Sequence, residues 1–205
     1  MQRLCVIAVL SLGLLAAGSA QARSTCTPRG SKTVAANTKV RVFTFRKSGS
    51  DTTRLYACRL RGRKRYLLAS AQEQGGTGTA VSLVRVIGRF VAWDAQPFDD
   101  SERYNPDFQG FPSTVNELDT TTGTRTSRPA TTGSPAASSV TALVLTGSGS
   151  LGWIGSASTL EVHLYANGGD TVLDTEPDID PTSLATTQHE LYWMRAEAPR
   201  SAPLD

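Results

Sequence analysis

Two histidines, three cysteines and two methionines are all that 205 residues provide of the side chains that most often bind metals or carry electrons. No CxxC pair, HExxH, G-x-S-x-G elbow, Walker loop or Rossmann glycine pattern occurs, so the zinc-hydrolase, serine-hydrolase and nucleotide-binding classes lack their usual carriers. Gly75-Gly76-Thr77-Gly78 precedes a strand-like stretch and not a helix, which makes it a turn and not a phosphate cradle. A Ser-His-Asp arrangement would have to use His163, inside an alternating stretch, or His189, just before an apolar one; both positions suit structural roles better. No catalytic residue, metal site or cofactor is therefore assigned. Strong helix formers are also scarce, and beyond the first 22 residues no segment carries an i, i+3, i+4, i+7 apolar stripe long enough for a helix. These absences exclude an all-α protein, a coiled coil and a multispan membrane protein.

What is present is turn and strand chemistry: 18 Gly, 10 Pro and 25 Thr. Met1-Gln2-Arg3 followed by the 14 residues Leu4 to Ala17, apolar except for Ser11, and by Ala20-Gln21-Ala22, reads as an export signal spanning 1–22. As a helix the apolar run would rise about 21 Å, short of the roughly 30 Å of hydrocarbon. The mature chain is expected to be secreted or extracytoplasmic, with no transmembrane anchor after cleavage. Removing Cys5 leaves Cys26 and Cys58, an even pair that predicts one disulfide in an oxidising compartment.

A weak internal repeat carries the fold prediction. Short apolar runs end on Phe43, Trp93, Trp153 and Trp193, spaced by 50, 60 and 40 residues, and Val34, Leu83, Leu143 and Leu184 stand nine or ten residues before them. Stretches of period two follow the anchors, as at Arg54 to Leu60 and Leu160 to Tyr165, and turn at Gly62 and at Asn167-Gly168. Four short antiparallel strands in about 45 residues make one propeller blade. With the Asp119-Thr120-Thr121-Thr122-Gly123 hairpin and the Asp180 to Ala185 linkage, the chain resembles secreted bacterial β-propeller-like repeat proteins of the TolB-like or YWTD-like kind. The resemblance implies an all-β architecture far more than an activity. The expectation is a single domain over 23–205, a small propeller or propeller-like stack of about four antiparallel β-sheet repeats, with irregular loops near 94–112 and 120–139. If the ring closes, Thr33 to Ala36 is the outer strand of the last blade.

Charge is segregated. Residues 23–70 hold 13 Lys or Arg against one acid, Asp51, whereas residues 71–205 hold 7 basic and 17 acidic residues. The densest cluster, Arg59, Arg61, Arg63, Lys64 and Arg65, is either a solvated hairpin tip balanced by the acidic half or a contact for an anionic polymer. Strand alternation, if Gly62 does not interrupt it, places Arg59, Arg61, Arg63 and Arg65 on one side. No nucleic-acid-binding fold motif or set of stacking aromatics accompanies the cluster, so the expected partner is an envelope polymer or an extracellular protein, not specific nucleic acid.

The stretch Asp94 to Pro112 mixes carboxylates with aromatics. Asp99, Asp100, Glu102 and Tyr104 are the candidates for an alternative role in binding or cleaving glycans. Asp174, Glu176, Asp178 and Asp180 are spaced like a calcium loop, but Ile179 and Ala185 stand where an EF-hand needs Gly and Glu. The function predicted is therefore that of an exported, non-catalytic binding or structural protein, with a carbohydrate-binding or carbohydrate-active protein as the alternative.

Overall fold

The computed structural model describes residues 26–72, 76–105, 107–133 and 137–204; the expected signal at 1–22 lies outside the described residues. The chain is all-β, its strands paired antiparallel, with a single 3-10 turn at Glu102–Tyr104 among the described residues. No described helix is long and apolar enough to cross a membrane.

Strands β1 (Lys32–Ala36), β2 (Val40–Arg46), β3 (Thr52–Arg59) and β4 (Lys64–Gln72) form a meander. It continues into β5 (Thr77–Val81), β6 (Arg85–Ile87), β7 (Phe90–Asp99), β8 (Thr114–Asp119) and β9 (Arg125–Pro129), giving a nine-stranded sheet. Among the described residues, the ladder passes from one half to the other where Ala71 pairs with Gly78. A Cβ on Gly78 would come within 2.6 Å of the Ala71 Cα, so this seam requires glycine. Both β5 and β6 pair with β7. The break between them is held by the buried Asp94 carboxylate, which accepts from Ser82 N at 3.0 Å and Ser82 Oγ at 2.7 Å. A four-stranded sheet follows, β10 (Ser139–Leu145), β11 (Leu151–Ser156), β12 (Leu160–Ala166) and β13 (Gly169–Glu176), then a three-stranded one, β14 (Ala185–Thr186), β15 (Glu190–Arg195) and β16 (Ala198–Pro203).

Side-chain alternation explains how the sheets stack. On β7, Val91, Trp93 and Ala95 pack against Val40, Val42, Leu55 and Ala57 of the first half, while Phe90 and Ala92 pack against Leu143, Leu151 and Trp153. On β11, Trp153 points back to β7, and Ile154 points on to Leu191 and Trp193 of β15. The aromatic anchors Phe43, Trp93, Trp153 and Trp193 lie on β2, β7, β11 and β15, and each tryptophan faces the layer that precedes it in the chain. For Phe43 no sheet precedes among the described residues. Its face is covered instead by the segment that starts at Cys26, tied by the Cys26–Cys58 disulfide. Arg41 fastens this cover, donating to the Cys26 carbonyl at 2.6 Å and to Thr33 Oγ1 at 2.9 Å while lying over the Phe43 ring.

No closed ring is detected. Thr33 to Ala36 belongs to β1, paired with β2 in the first sheet, so it does not complete the last one. Two expected loops are also more regular than their composition suggested. Residues 94–99 continue β7, and 125–129 form β9. Strand β7 is long because β5, β6 and β8 satisfy its backbone on both edges.

Candidate anion-binding site

The β3–β4 hairpin turns through Gly62 (φ 86°) and Arg63 (φ 53°), a left-handed pair that closes the loop between Arg59 and Lys64. The turn redistributes the five basic residues. Arg59 pairs with Lys64, and opposite partners in a ladder share a face; Arg65 pairs with Cys58 on the other face, where its guanidinium lies 4.6 Å from the Tyr56 centroid. Lys64 Nζ sits 5.0 Å from the Tyr66 ring centroid. The cluster thus wraps both faces of the hairpin end, and the expected one-sided row is not formed. None of Arg59, Arg61, Lys64 and Arg65 has an ion pair with a described carboxylate, so the acidic half does not balance them by direct contact.

Arg59 and Arg61 converge with two cations that are distant or isolated in sequence. Together with Lys39, Arg89, Thr38, Thr120 and Thr121 they line a pocket of about 390 Å³ between the two halves of the large sheet. Its frame is built by short-range capping. Asn37 Oδ1 accepts from Lys39 N and Val40 N, both at 2.8 Å, and Asn37 Nδ2 donates to the Gly88 carbonyl at 2.9 Å, linking the β1–β2 and β6–β7 turns. Leu60 N donates to the Lys39 carbonyl at 2.9 Å, which sets Arg59 and Arg61 beside Lys39. On the far wall Thr120 donates to the Arg89 carbonyl from N at 3.1 Å and from Oγ1 at 2.7 Å, and Tyr66 Oη donates to the Thr120 carbonyl at 3.0 Å. Arg89 Nε pairs with Asp119 Oδ2 at 3.0 Å; Lys39, like Arg59 and Arg61, has no carboxylate partner among the described residues. Guanidinium forks, an ammonium and threonine hydroxyls around one cavity match the geometry of a phosphate, sulfate or carboxylate group.

The residues expected to bind glycan are placed differently. Asp99 Oδ1 accepts from Ser101 N at 2.9 Å and from Ser101 Oγ at 2.6 Å, and these bonds hold its carboxyl below the usual carboxylate range. Asp100 N donates to the Gly76 carbonyl at 2.7 Å. Glu102 accepts from Asn105 Nδ2 at 2.9 Å, and Tyr104 projects to solvent with 86% exposure. The carboxylates of Asp99 and Glu102 fasten their own loop, and none of the cavities formed by described residues is lined by these four. The acids of the calcium-like stretch converge on Arg195, whose guanidinium lies 3.1 Å from Asp174, 2.9 Å from Glu176 and 3.4 Å from Asp178. Asp180 instead caps a turn, accepting from Thr182 N and Oγ1 at 2.8 Å, which lowers its pKa.

His163 is 1% exposed and stacks on Trp153 with centroids 4.6 Å apart. Its Nε2 contacts Glu161 at 2.9 Å, and Glu161 accepts from Thr132 N at 2.8 Å. The role is structural: it pins the 130–132 segment across β11 and β12, where Trp153 Nε1 donates to the Ala130 carbonyl at 2.9 Å.

Lys39, Arg89, Thr120 and Thr121 were not selected from the sequence. Lys39 belongs to the basic segment, but Arg89 lies in the acidic half, and the bonds from Asn37 to Gly88 and from Tyr66 to Thr120 bring it near. The chain matches no protein-family model, and no curated protein or solved structure is similar to it.

Proposed function

We propose that the protein is an exported, non-catalytic binding module of the cell envelope that holds anionic polymer through the pocket of Lys39, Arg59, Arg61 and Arg89. The observation that carries this reading is the convergence of four cations, three of them without a described carboxylate partner. Like charges brought together repel unless a counter-charge arrives, and no acid lines this pocket. The exported location rests on the 1–22 signal pattern and on the disulfide, which suits an oxidising compartment.

In this reading the architecture is a stack of four repeat units in the manner of TolB-like or YWTD-like propeller proteins, left open as a row. The positions of the anchors on β2, β7, β11 and β15 support four units. The cover over Phe43 supports an open row, because it occupies the face that a fourth unit would need in order to close a ring. Terminal repeats of stacked proteins require such caps.

The test is co-sedimentation of the mature protein with isolated cell envelopes at low and then high salt. Binding that falls steeply with salt is expected, since exposed charge is screened over about 8–10 Å at moderate ionic strength. Binding that survives high salt, or none at either salt, overturns the reading.

A further inference from the structure

Across the Asp119–Thr124 turn from the cationic pocket lies a second cleft, of about 660 Å³. Its walls carry Thr122, Thr124, Ser150 and Asn167, the ring of Tyr165, and Glu117 at the base. Hydroxyls, a carboxamide and the carboxylates of Glu117 and Asp119 share the lining with Phe90 and Leu204, and no cation lines it. Gly149, at φ 96°, keeps the floor open, because a Cβ there would come within 2.9 Å of the Phe90 ring and 3.0 Å of Glu117 Oε1. Glu117 is only 8% exposed, faces the Arg128 charge, and accepts a long hydrogen bond of 3.5 Å from Thr126 Oγ1. That buried acceptor is thus weakly satisfied, which favours a ligand able to donate hydrogen bonds.

We infer that this cleft takes a sugar ring, and that cleft and pocket together recognise a phosphate-bearing saccharide. The inference rests on the anion-binding reading above and narrows it. Hydroxyl, carboxamide and carboxylate groups match the hydroxyls of a pyranose, and Tyr165, with the Arg128 guanidinium on its ring 3.2 Å from the centroid, adds an aromatic edge. The two sites share one wall: Asp119 lines the cleft, Arg89 lines the pocket, and their side chains meet at 3.0 Å. A phosphate held by Arg59, Arg61 and Lys39 therefore leaves its attached sugar beside the turn that borders the cleft. Burial pushes the Glu117 carboxyl up, with the Arg128 charge offsetting part of the effect.

The experiment compares three polymers by biolayer interferometry on the immobilised mature chain: phosphomannan, linear polyphosphate at matched phosphate content, and neutral mannan. Phosphomannan is expected to bind roughly fivefold or more tightly than polyphosphate, the gain of one or two added hydrogen bonds. The cleft variant combines Asn167→Gly, which keeps the left-handed backbone of Asn167 (φ 52°), with Thr124→Val, which keeps side-chain volume. It should bring phosphomannan down to the polyphosphate level and leave polyphosphate unchanged, with an unaltered thermal melt. Equal binding of the two phosphate polymers or a silent cleft variant overturns the inference and leaves anion binding standing; neutral mannan binding as well as phosphomannan overturns the inference and counts against anion binding too. Failure of both phosphate polymers overturns the anion-binding reading, and the inference with it.

Discussion

Arg89 Nε lies 3.0 Å from Asp119 Oδ2, and this ion pair is the partition between a cationic pocket and a hydroxyl-lined cleft. Asp119 holds back one of the four pocket cations. Asp119→Asn should therefore strengthen polyphosphate binding, by roughly two- to fivefold, while Asn Oδ1 still accepts from Thr121 N, as Asp119 does at 2.7 Å. The guanidinium end of this pair is 54% exposed and the carboxylate 13%, so solvent still screens it and it contributes about 1 kcal/mol or less; the melt should move little. Titration of both proteins with polyphosphate at fixed salt checks this, and weaker binding by the variant contradicts it.

Asn37 holds the pocket together without lining it. Asn37→Ala removes two acceptor bonds to Lys39 N and Val40 N and the bond to Gly88, at a cost of about 1–2 kcal/mol. Asn37→Asp keeps the two acceptor bonds and loses only the link to Gly88. Denaturant unfolding should rank wild type above Asp above Ala. Polyphosphate affinity should already fall in the Asp variant, because Arg89 is then no longer tied to the β1–β2 turn.

The disulfide is a cap as well as a staple. Cys26 and Cys58 are 32 residues apart in sequence, and closing such a loop stabilises by on the order of 3–4 kcal/mol in the chain-entropy model. Phe43, which is fully buried, loses its cover if the segment detaches. Replacing both cysteines by serine should lower the melting temperature and raise binding of a hydrophobic dye. A melt unchanged by reduction would contradict this role.

Glu117 sets a pH dependence with a definite sign. Its carboxyl is raised above 4.5, chiefly by burial, so the folded chain holds that proton more tightly than the unfolded chain. Its contribution to stability therefore falls as pH rises from the ordinary glutamate range through the raised value, then levels off. Glu117→Gln should remove that slope and stabilise the protein near neutral pH. Melts of both proteins at pH 4 and pH 7.5 check it; a variant less stable than wild type at pH 7.5 contradicts it.

Much of the fold was legible because it rests on local patterns. Period-two alternation marked the strands, Gly62 and Asn167-Gly168 marked turns, and the spacing of Phe43, Trp93, Trp153 and Trp193 located β2, β7, β11 and β15. The pocket was half legible: Arg59 and Arg61 stand out in the basic run, whereas Arg89 and Thr120 reach it only through contacts between turns more than 50 residues apart in sequence. Register decided the rest. A four-residue turn after Arg59 sends Arg65 to the opposite face, which composition cannot reveal. The acids near residue 100 looked like a site because carboxylates and aromatics are mixed there, yet Asp99 and Glu102 bond within their own loop.

The most direct test of the account is the salt dependence of polyphosphate affinity for the mature chain and for a Lys39→Gln, Arg59→Gln, Arg61→Gln variant. Each phosphate contact releases about one counter-ion, so affinity should fall linearly with salt on logarithmic axes. The variant's slope should be smaller by roughly 2–3, with its melt unchanged. Equal slopes, or equal affinities at low salt, would contradict a ligand role for this pocket.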